Sequence, residues 1–223
     1  MPIRIDERLT AIATLIKSGT VADVGCDHGK LGYYLVSTDR AEKVIATDIS
    51  APSLQKAEKL AYDNGVSHIM ETRLGDGLSP IKSREVDTVI IAGLGGDVMA
   101  DILASAREDG KEFDRFILSP NTHPEKVRRE LAESNHIIIT DNLTECAGKY
   151  YTIISTQLKK GYKEELDDEQ IVYGKFFKTD QVFLKRSKEE IATMKNILAV
   201  HHGAQLEEKI ARLEEVIAKV ETK

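Results

Sequence analysis

Residues 21–32 read Val-Ala-Asp-Val-Gly-Cys-Asp-His-Gly-Lys-Leu-Gly, and this stretch decides the fold. A short apolar, β-branched run ends at Gly25, a turn with a second glycine follows, and an apolar pattern of helical period resumes at Leu31. Strand, glycine turn and helix in this order present the free N–H groups of a helix N-terminus to a ligand. Because glycine has no Cβ, a ligand can lie close to the backbone of the turn. The stretch therefore predicts a nucleotide-like ligand beyond the first strand.

The glycine spacing differs from the pattern that binds dinucleotides. Gly25, Gly29 and Gly32 lack the G-x-G start of that pattern, because Asp27 occupies the position of its middle glycine. A carboxylate at this point would repel a pyrophosphate. S-adenosyl-L-methionine (AdoMet) carries a sulfonium and an ammonium and has no phosphate, so Asp23 and Asp27 favour AdoMet over NAD. The alternative is that these glycines only shape a tight turn between strand and helix.

Up to residue 160 the chain alternates β-branched runs with helix-like stretches. Strands are predicted at 21–25, 43–47, 68–73, 87–92, 115–119, 137–141 and 150–157. Helices are predicted at 6–18, 29–37, 52–64, 97–107 and 124–134. Such alternation implies a mostly parallel sheet that is covered on both faces. Residues 142–149 read as a loop, so the last two strands form an antiparallel hairpin, and this seven-stranded α/β sheet is typical of a Rossmann-like class I methyltransferase.

From residue 161 the chain has no strand-like runs, which predicts a catalytic domain over 1–160 and a helical domain over 161–223. Apolar residues recur at heptad spacing in two seams: Ile191, Met194 and Leu198, then Leu206, Ile210, Leu213, Ile217 and Val220. Two such helices, joined at His201-His202-Gly203, predict an antiparallel, coiled-coil-like hairpin. We expect the hairpin to be a lid or a dimer interface, with an RNA-holding arm as the alternative.

The composition is that of an ordinary soluble protein. The 223 residues are 41% hydrophobic and 30% charged, with a formal net charge of −6. No apolar run approaches the ~20 residues of a membrane span, and the first residues lack the apolar core of a signal peptide. Cys26 and Cys146 fit no metal-ligand spacing. We therefore expect a cytoplasmic monomer or homodimer with no metal and no membrane partner.

Polar residues follow the later strands at the edge where open parallel sheets bind ligands. Asp48 stands where an acid contacts ribose hydroxyls, with Ile49 beside the adenine, although Asp48 can also cap a helix. Asp76 is placed to accept a hydrogen bond from an adenine amino group. Asn121 offers its amide to a base edge or shapes a turn between two prolines. These positions extend the predicted ligand site from the first strand to its neighbours.

The densest basic patch of the first 160 residues follows the fifth strand. Lys126, Arg128 and Arg129 lie there on one predicted helix, and Arg4 and Arg8 from the N-terminus can extend the patch. As phosphate contacts, these residues would position an RNA without reading its sequence. A solvated helix face is the alternative, and the negative net charge argues mildly against a nucleic-acid partner.

The order of these motifs resembles that of the bacterial TrmK family, which are tRNA (adenine-N1)-methyltransferases that modify adenine 22. The matching stretches are Arg8-Leu9, Ile12-Ala13, Ala22–Gly29, Thr47–Ile49, Gly75–Gly77, Ala92–Gly96, Pro120-Asn121 and Gly148–Tyr151. The chain departs from the family at Leu94, where Met is usual, and at Ser119, where Gln is frequent. The resemblance implies methyl transfer from AdoMet to N1 of an adenine in tRNA.

The resemblance and the residues together predict a complete site. The predicted cofactor contacts are Asp23, Gly25, Cys26, Asp27, His28, Gly29, Asp48, Ile49, Gly75, Asp76, Gly77, Ala92 and Gly93. Because adenine N1 attacks as a neutral lone pair and becomes cationic, Asp97 is the predicted partner of the developing charge, or alternatively a helix cap. Asn121 is the predicted contact to the target base. Two other functions stay open: a methyltransferase of the same fold for a small molecule or a protein, and a non-catalytic nucleotide-binding module.

Overall fold

The computed structural model describes residues 3–200 and 203–221, and a seven-stranded sheet forms its centre. The strands are β1 (Thr20–Val24), β2 (Lys43–Asp48), β3 (Met70–Leu74), β4 (Thr88–Ala92), β5 (Arg115–Ser119), β6 (His136–Cys146) and β7 (Lys149–Leu158). They lie in the order β3-β2-β1-β4-β5-β7-β6. The first five strands are parallel, and β7 is antiparallel to both β5 and β6. This topology confirms the predicted α/β class and its closing hairpin.

Helices cover both faces of the sheet, as the alternating pattern predicts. They are α1 (Glu7–Thr14), α2 (Lys30–Ser37), α3 (Ala51–Asp63), α4 (Gly96–Glu108) and α5 (Pro124–Glu133). Ile90 and Ile117 point to the face that α1, α2 and α3 cover, whereas Val89 and Ile91 point to the face of α4 and α5. Because both faces are buried, the central strands are apolar at nearly every position. The buried sheet thereby fixes the positions of the loops that follow the carboxyl ends of its parallel strands.

Two predicted boundaries in this region are wrong. β6 continues to Cys146, so the predicted loop over 142–149 is reduced to the turn at Ala147 and Gly148. Both turn residues have positive φ, 49° and 73°, as the tight turns of two-residue hairpins require. The opening helix ends at Thr14 rather than at residue 18. The sequence pattern did not predict the second half of β6 because this half is rich in polar residues. Two of them, Asp141 and Glu145, pair with Arg128 and Lys185, which are distant in sequence.

The C-terminal region is helical, as predicted. It contains α6 (Asp168–Tyr173), a 3-10 turn (Phe177–Thr179), α7 (Gln181–Leu198) and α8 (Ala204–Glu221). Lys188 pairs with Glu221 and Lys195 with Glu214, so α7 and α8 are antiparallel. Both predicted seams contribute to the apolar contact between them. His201 and His202, in the predicted connecting turn, lie outside the described residues. None of the described helices is long and apolar enough to cross a membrane.

Arg128 joins this region to the sheet from a buried position. Its side chain is 3% exposed, and Nε and Nη2 donate to the two carboxylate oxygens of Asp141 on β6 at 2.8 and 3.0 Å. Nη1 donates to the carbonyls of Ile171 and Val172 on α6 at 3.0 and 3.2 Å. The prediction that Arg128 contacts RNA phosphates is therefore wrong, because its guanidinium is enclosed and all three of its nitrogens donate within the protein.

We expect Arg128→Ala to destabilise the protein by about 3–5 kcal/mol, because the change leaves the Asp141 carboxylate buried without its cation. The free energy of unfolding in urea measures the effect. Arg129→Ala, the adjacent exposed position on the same helix, is the control and is expected to change stability by less than about 0.5 kcal/mol. Equal losses in the two variants would contradict the structural role of the buried pair.

Candidate active site

The carboxyl ends of β1 to β4 open into one cleft of about 710 Å³. All of the predicted cofactor residues except Gly29 line it. Its lining also includes residues that the sequence patterns did not assign to a cofactor, namely Asp6, Arg8, Leu9, Val24, Lys30, Leu31, Thr47, Ser53, Leu94, Val98 and Ile102. Loops from neighbouring strands converge here because parallel strands end at the same edge of the sheet.

The loop after β1 is tied to the end of β2. The Gly25 amide donates to the Thr47 carbonyl at 2.8 Å, and the Asp27 amide donates to Oδ2 of Asp48 at 3.0 Å. Ser50, rather than Asp48, caps α3. The carboxylate of Asp48 therefore holds the loop and faces the cleft, and the alternative of a plain helix cap does not apply to it.

Gly29 has a packing role in this loop. Its φ is +69°, and a Cβ at this position would lie 2.7 Å from the Ala57 Cβ and 2.7 Å from the terminal methyl of Met70. The missing side chain thus lets the loop lie against α3 and β3. Gly29 does not line the cleft, because the close contacts that exclude a Cβ here are to the protein's own core, and its contact to the cofactor stays a prediction.

The loop after β3 is held by an arginine that no sequence motif marked. Nη1 of Arg73 donates to the Pro80 carbonyl at 2.9 Å, and Nη1 and Nη2 pair with the Glu85 carboxylate at 2.9 and 2.7 Å. The hydrogen bond from Arg73 is the main cause that lowers the pKa of Glu85 to about 2. These hydrogen bonds hold the loop in place, and the loop brings Gly75, Asp76 and Gly77 into the cleft.

Acidic side chains dominate the cleft. Its carboxylates are those of Asp6, Asp23, Asp27, Asp48 and Asp76. Asp23 is 4% exposed, and its Oδ2 has no hydrogen-bond partner among the described residues. Burial raises the pKa of Asp23 to about 7, and the charge of Asp48 acts in the same direction. A cationic ligand group would relieve both effects, so the site suits a ligand with a positive pole.

Cys26 also lines the cleft, and its thiol is kept neutral. Burial raises the pKa of Cys26, and the carboxylates of Asp23, Asp48 and Asp27 raise it further. A neutral, buried thiol is a poor nucleophile. Cys26 therefore contributes to the shape of the cleft wall rather than to a reaction. Among the described residues there is also no group of ligands that could hold a metal ion.

Asn121 and Arg8 meet at the β4–β5 end of the cleft. Nδ2 of Asn121 donates to the Gly93 carbonyl at 2.6 Å, and Oδ1 accepts from Nη1 of Arg8 at 3.2 Å. The Arg8 guanidinium lies over the ring of Tyr151, 5.2 Å from its centre. Both ends of the Asn121 amide are thus engaged within the protein, and its contact to an adenine edge stays a prediction.

Asp97 lies outside the lining of the cleft. Its carboxylate, 47% exposed, forms hydrogen bonds with Lys126 and His123, and these lower the pKa of Asp97 to about 2. Lys126 neutralises this charge, so nothing in the arrangement supports Asp97 as the partner of a developing cation, and that role stays a prediction. Gly95 occupies the cap position of α4, so Asp97 is not a helix cap.

The predicted basic patch is divided in the structure. Arg8 lies in the cleft, Lys126 is paired with Asp97, and Arg128 is buried. Arg4 and Arg129 are exposed. Only part of the predicted phosphate-binding set is therefore available to a macromolecule at the surface.

Comparison with known sequences places this site among methyltransferases. A family model described as a methyltransferase domain matches residues 5–154. The tRNA (adenine(22)-N(1))-methyltransferase of Bacillus subtilis (strain 168) is 28% identical over 228 residues, which cover 98% of this chain and 95% of that protein. The second match extends through the C-terminal helices, which the domain model does not reach.

Two solved structures are similar over almost the whole chain. The structure of M. capricolum TrmK with S-adenosyl-homocysteine is 26% identical, with a TM-score of 0.81, and covers 97% of this chain and 99% of that one. A putative tRNA (m1A22) methyltransferase of Streptococcus pneumoniae, in complex with S-adenosyl-L-methionine, is 27% identical, with a TM-score of 0.83 and coverage of 96% and 100%. The structural similarity therefore covers both the sheet and the C-terminal helical hairpin.

We expect Gly29→Ala to destabilise the protein more than Gly65→Ala. Both glycines have φ near +70°, so each alanine bears the same left-handed strain of about 1–2 kcal/mol. A Cβ at Gly65 meets nothing within 4 Å, whereas one at Gly29 overlaps α3 and β3, which adds about 1–3 kcal/mol. Urea denaturation of the two variants measures the difference. Equal losses would show that Gly29 is needed for its backbone conformation alone.

We expect the ligand-free protein to lose stability through Asp23 as the pH rises from 4 to 8. With a folded-state pKa of about 7 and an ordinary value of 3.8, the folded state holds a proton that the unfolded chain releases in this interval. The stability gained from this proton is full below pH 4 and is lost as the pH passes 7. Asp23→Asn removes the effect, so the wild type should fall relative to the variant by roughly 2–4 kcal/mol. Parallel pH profiles of unfolding free energy would contradict a protonated Asp23.

Proposed function

This chain belongs to the TrmK family of methyltransferases, and from that premise we infer that it transfers the methyl group of AdoMet to N1 of adenine 22 in tRNA. The observation that carries the cofactor assignment is the acidic cleft with the unpartnered oxygen of buried Asp23. A dinucleotide would bring a pyrophosphate among these carboxylates, whereas AdoMet brings cationic groups. The chemistry of the lining thus agrees with the family.

The residues present fit the cofactor along the row of strand ends. Asp76 would accept from the adenine amino group and Asp48 from the ribose hydroxyls, with Ile49 against the adenine ring. Asp23 would receive the ammonium, since its carboxylate belongs to the lining of the cleft and no cation pairs with it among the described residues. Bound AdoMet supplies a methyl group on a sulfonium, which is already activated for transfer.

The protein's part in the reaction is mainly positioning. Adenine N1 attacks through a neutral lone pair, so no proton has to leave first, and no side chain needs to act as a strong base. The described residues of the cleft agree with this, because the thiol of Cys26 is held neutral and the carboxylates are placed for binding. Alignment of the two reactants can itself supply about 7–11 kcal/mol of the barrier reduction.

The target base has to be unpaired when it reacts, because N1 lies on its base-pairing edge. We place the base beside Asn121, which follows β5, since the cofactor residues lie at the ends of β1 to β4. The exposed Arg4 and Arg129 are the remaining proposed phosphate contacts. Arg128 is no longer among them.

The direct test is methylation of two unmodified tRNA transcripts that differ only in having adenine or guanine at position 22. With methyl-labelled AdoMet, we expect label in the first transcript alone, and a block to primer extension at position 22, because the product cannot pair through N1. Label at another position would contradict the assignment of adenine 22. Absence of label from both transcripts, together with calorimetric binding of AdoMet, would redirect the enzyme to a different substrate.

A further inference from the structure

We propose that Arg8 binds the α-carboxylate of the cofactor and that Asn121 and Tyr151 hold its guanidinium in place for this contact. The proposal rests on the proposed function and adds a residue to it, since the sequence assigned Arg8 to RNA phosphates. Three observations support the proposal: the location of Arg8, the contacts of its guanidinium, and the acidic character of the cleft. Each of them favours a carboxylate as the partner of Arg8 within the cleft.

Arg8 is held on two sides by groups that leave its positive charge unneutralised. Nη1 donates to the amide oxygen of Asn121 at 3.2 Å, and the guanidinium plane lies over the Tyr151 ring. No ion pair among the described residues includes Arg8, whereas Arg73 and Arg128 each bind a carboxylate through two nitrogens. A half-buried guanidinium with a neutral partner retains donors for an anion.

The location of Arg8 follows from the order of the strands. Asp76 follows β3, Asp48 ends β2, Gly25 follows β1 and Gly93 follows β4, and these strands are neighbours in that order. A ligand with its adenine at Asp76 and its ribose at Asp48 therefore directs its amino-acid end toward Gly93. A Cβ built on Gly93 would lie 3.6 Å from Nη2 of Arg8, so the guanidinium lies directly over this glycine.

The charge of the cleft explains why an arginine is required there. AdoMet carries one anionic group, and that carboxylate would enter a site whose titratable lining is mostly acidic. Asp23 can receive the ammonium but would repel the carboxylate. Arg8 and Lys30 are the permanent cations of the lining, and Arg8 is the one that lies over Gly93, whereas Lys30 is exposed at the start of α2. Arg8 thereby completes a pair of opposite charges for the two ends of an amino acid.

The test compares AdoMet with decarboxylated AdoMet, which keeps the adenosine, sulfonium and ammonium groups. Isothermal titration calorimetry should show that the wild type binds AdoMet about 10–100-fold more tightly than the decarboxylated compound. Arg8→Gln should remove this preference by weakening AdoMet alone. In the variant the preference should even reverse, because the decarboxylated compound has the larger positive charge in an acidic cleft.

Lys17→Gln is the control, because it removes an exposed positive charge that lies after α1 and outside the lining of the cleft. We expect it to leave the ratio of the two affinities unchanged. Asn121→Ala should lower the ratio by a smaller factor than Arg8→Gln does, since it removes the hydrogen bond that orients the guanidinium and leaves the charge. Arg8→Lys, which keeps the charge and loses the planar fork, repeats the test if Arg8→Gln does not fold, with a ratio about tenfold below that of the wild type.

The outcomes separate this proposal from the proposed function. If the wild type binds neither compound, the cofactor assignment itself fails. If the wild type prefers AdoMet and Arg8→Gln keeps that preference, the proposal for Arg8 is overturned while the cofactor assignment stands. An unchanged preference together with a raised KM for tRNA would return Arg8 to the phosphate role that the sequence predicted.

Discussion

The site depends on the hydrogen bonds that tie the loop after β1 to the end of β2. They join the Gly25 amide to the Thr47 carbonyl and the Asp27 amide to the Asp48 carboxylate. The same carboxylate is thereby oriented toward the cleft, so one interaction shapes the glycine turn and positions the proposed ribose contact. It requires the parallel pairing of β1 with β2, which in turn requires a sheet buried on both faces.

The electrostatic design of the cleft follows from this geometry. Neighbouring strand ends bring several carboxylates together, and burial, with the charge of Asp48, raises the pKa of Asp23, so an ionised Asp23 costs free energy in the ligand-free cleft. A ligand with positive groups relieves that cost, whereas a ligand with phosphates increases it. The proposed selectivity for AdoMet over a dinucleotide thus rests on the charges of the side chains rather than on the backbone layout. In the proposal for Arg8, its guanidinium offsets the acidic lining at the end where the cofactor carboxylate would lie.

The sequence predicted the features that local periodicity and strand order determine. The strands follow from continuous apolar, β-branched runs and the helices from patterns of 3.6 residues. Residues after adjacent parallel strands must meet, which is why Asp48 and Asp76 could be placed at one cleft from the sequence. Burial set by distant partners has no local signal. Arg128 and Arg129 look alike in sequence, yet only Arg128 meets Asp141 and α6. Gly29 likewise serves the core of the protein, although its spacing is that of a ligand-binding turn.

The hairpin of β6 and β7 connects the C-terminal helices to the cleft. On one face Tyr150 donates to Glu189 of α7 at 2.7 Å, and at its turn the Ala147 amide donates to Glu7 of α1 at 2.8 Å. Tyr151, the next residue in β7, supports the Arg8 guanidinium. A single hairpin therefore contacts the helical region and the N-terminal helix, and it also positions a cation in the ligand site. Because successive strand residues face opposite sides, Tyr150 and Tyr151 can serve these two contacts at once.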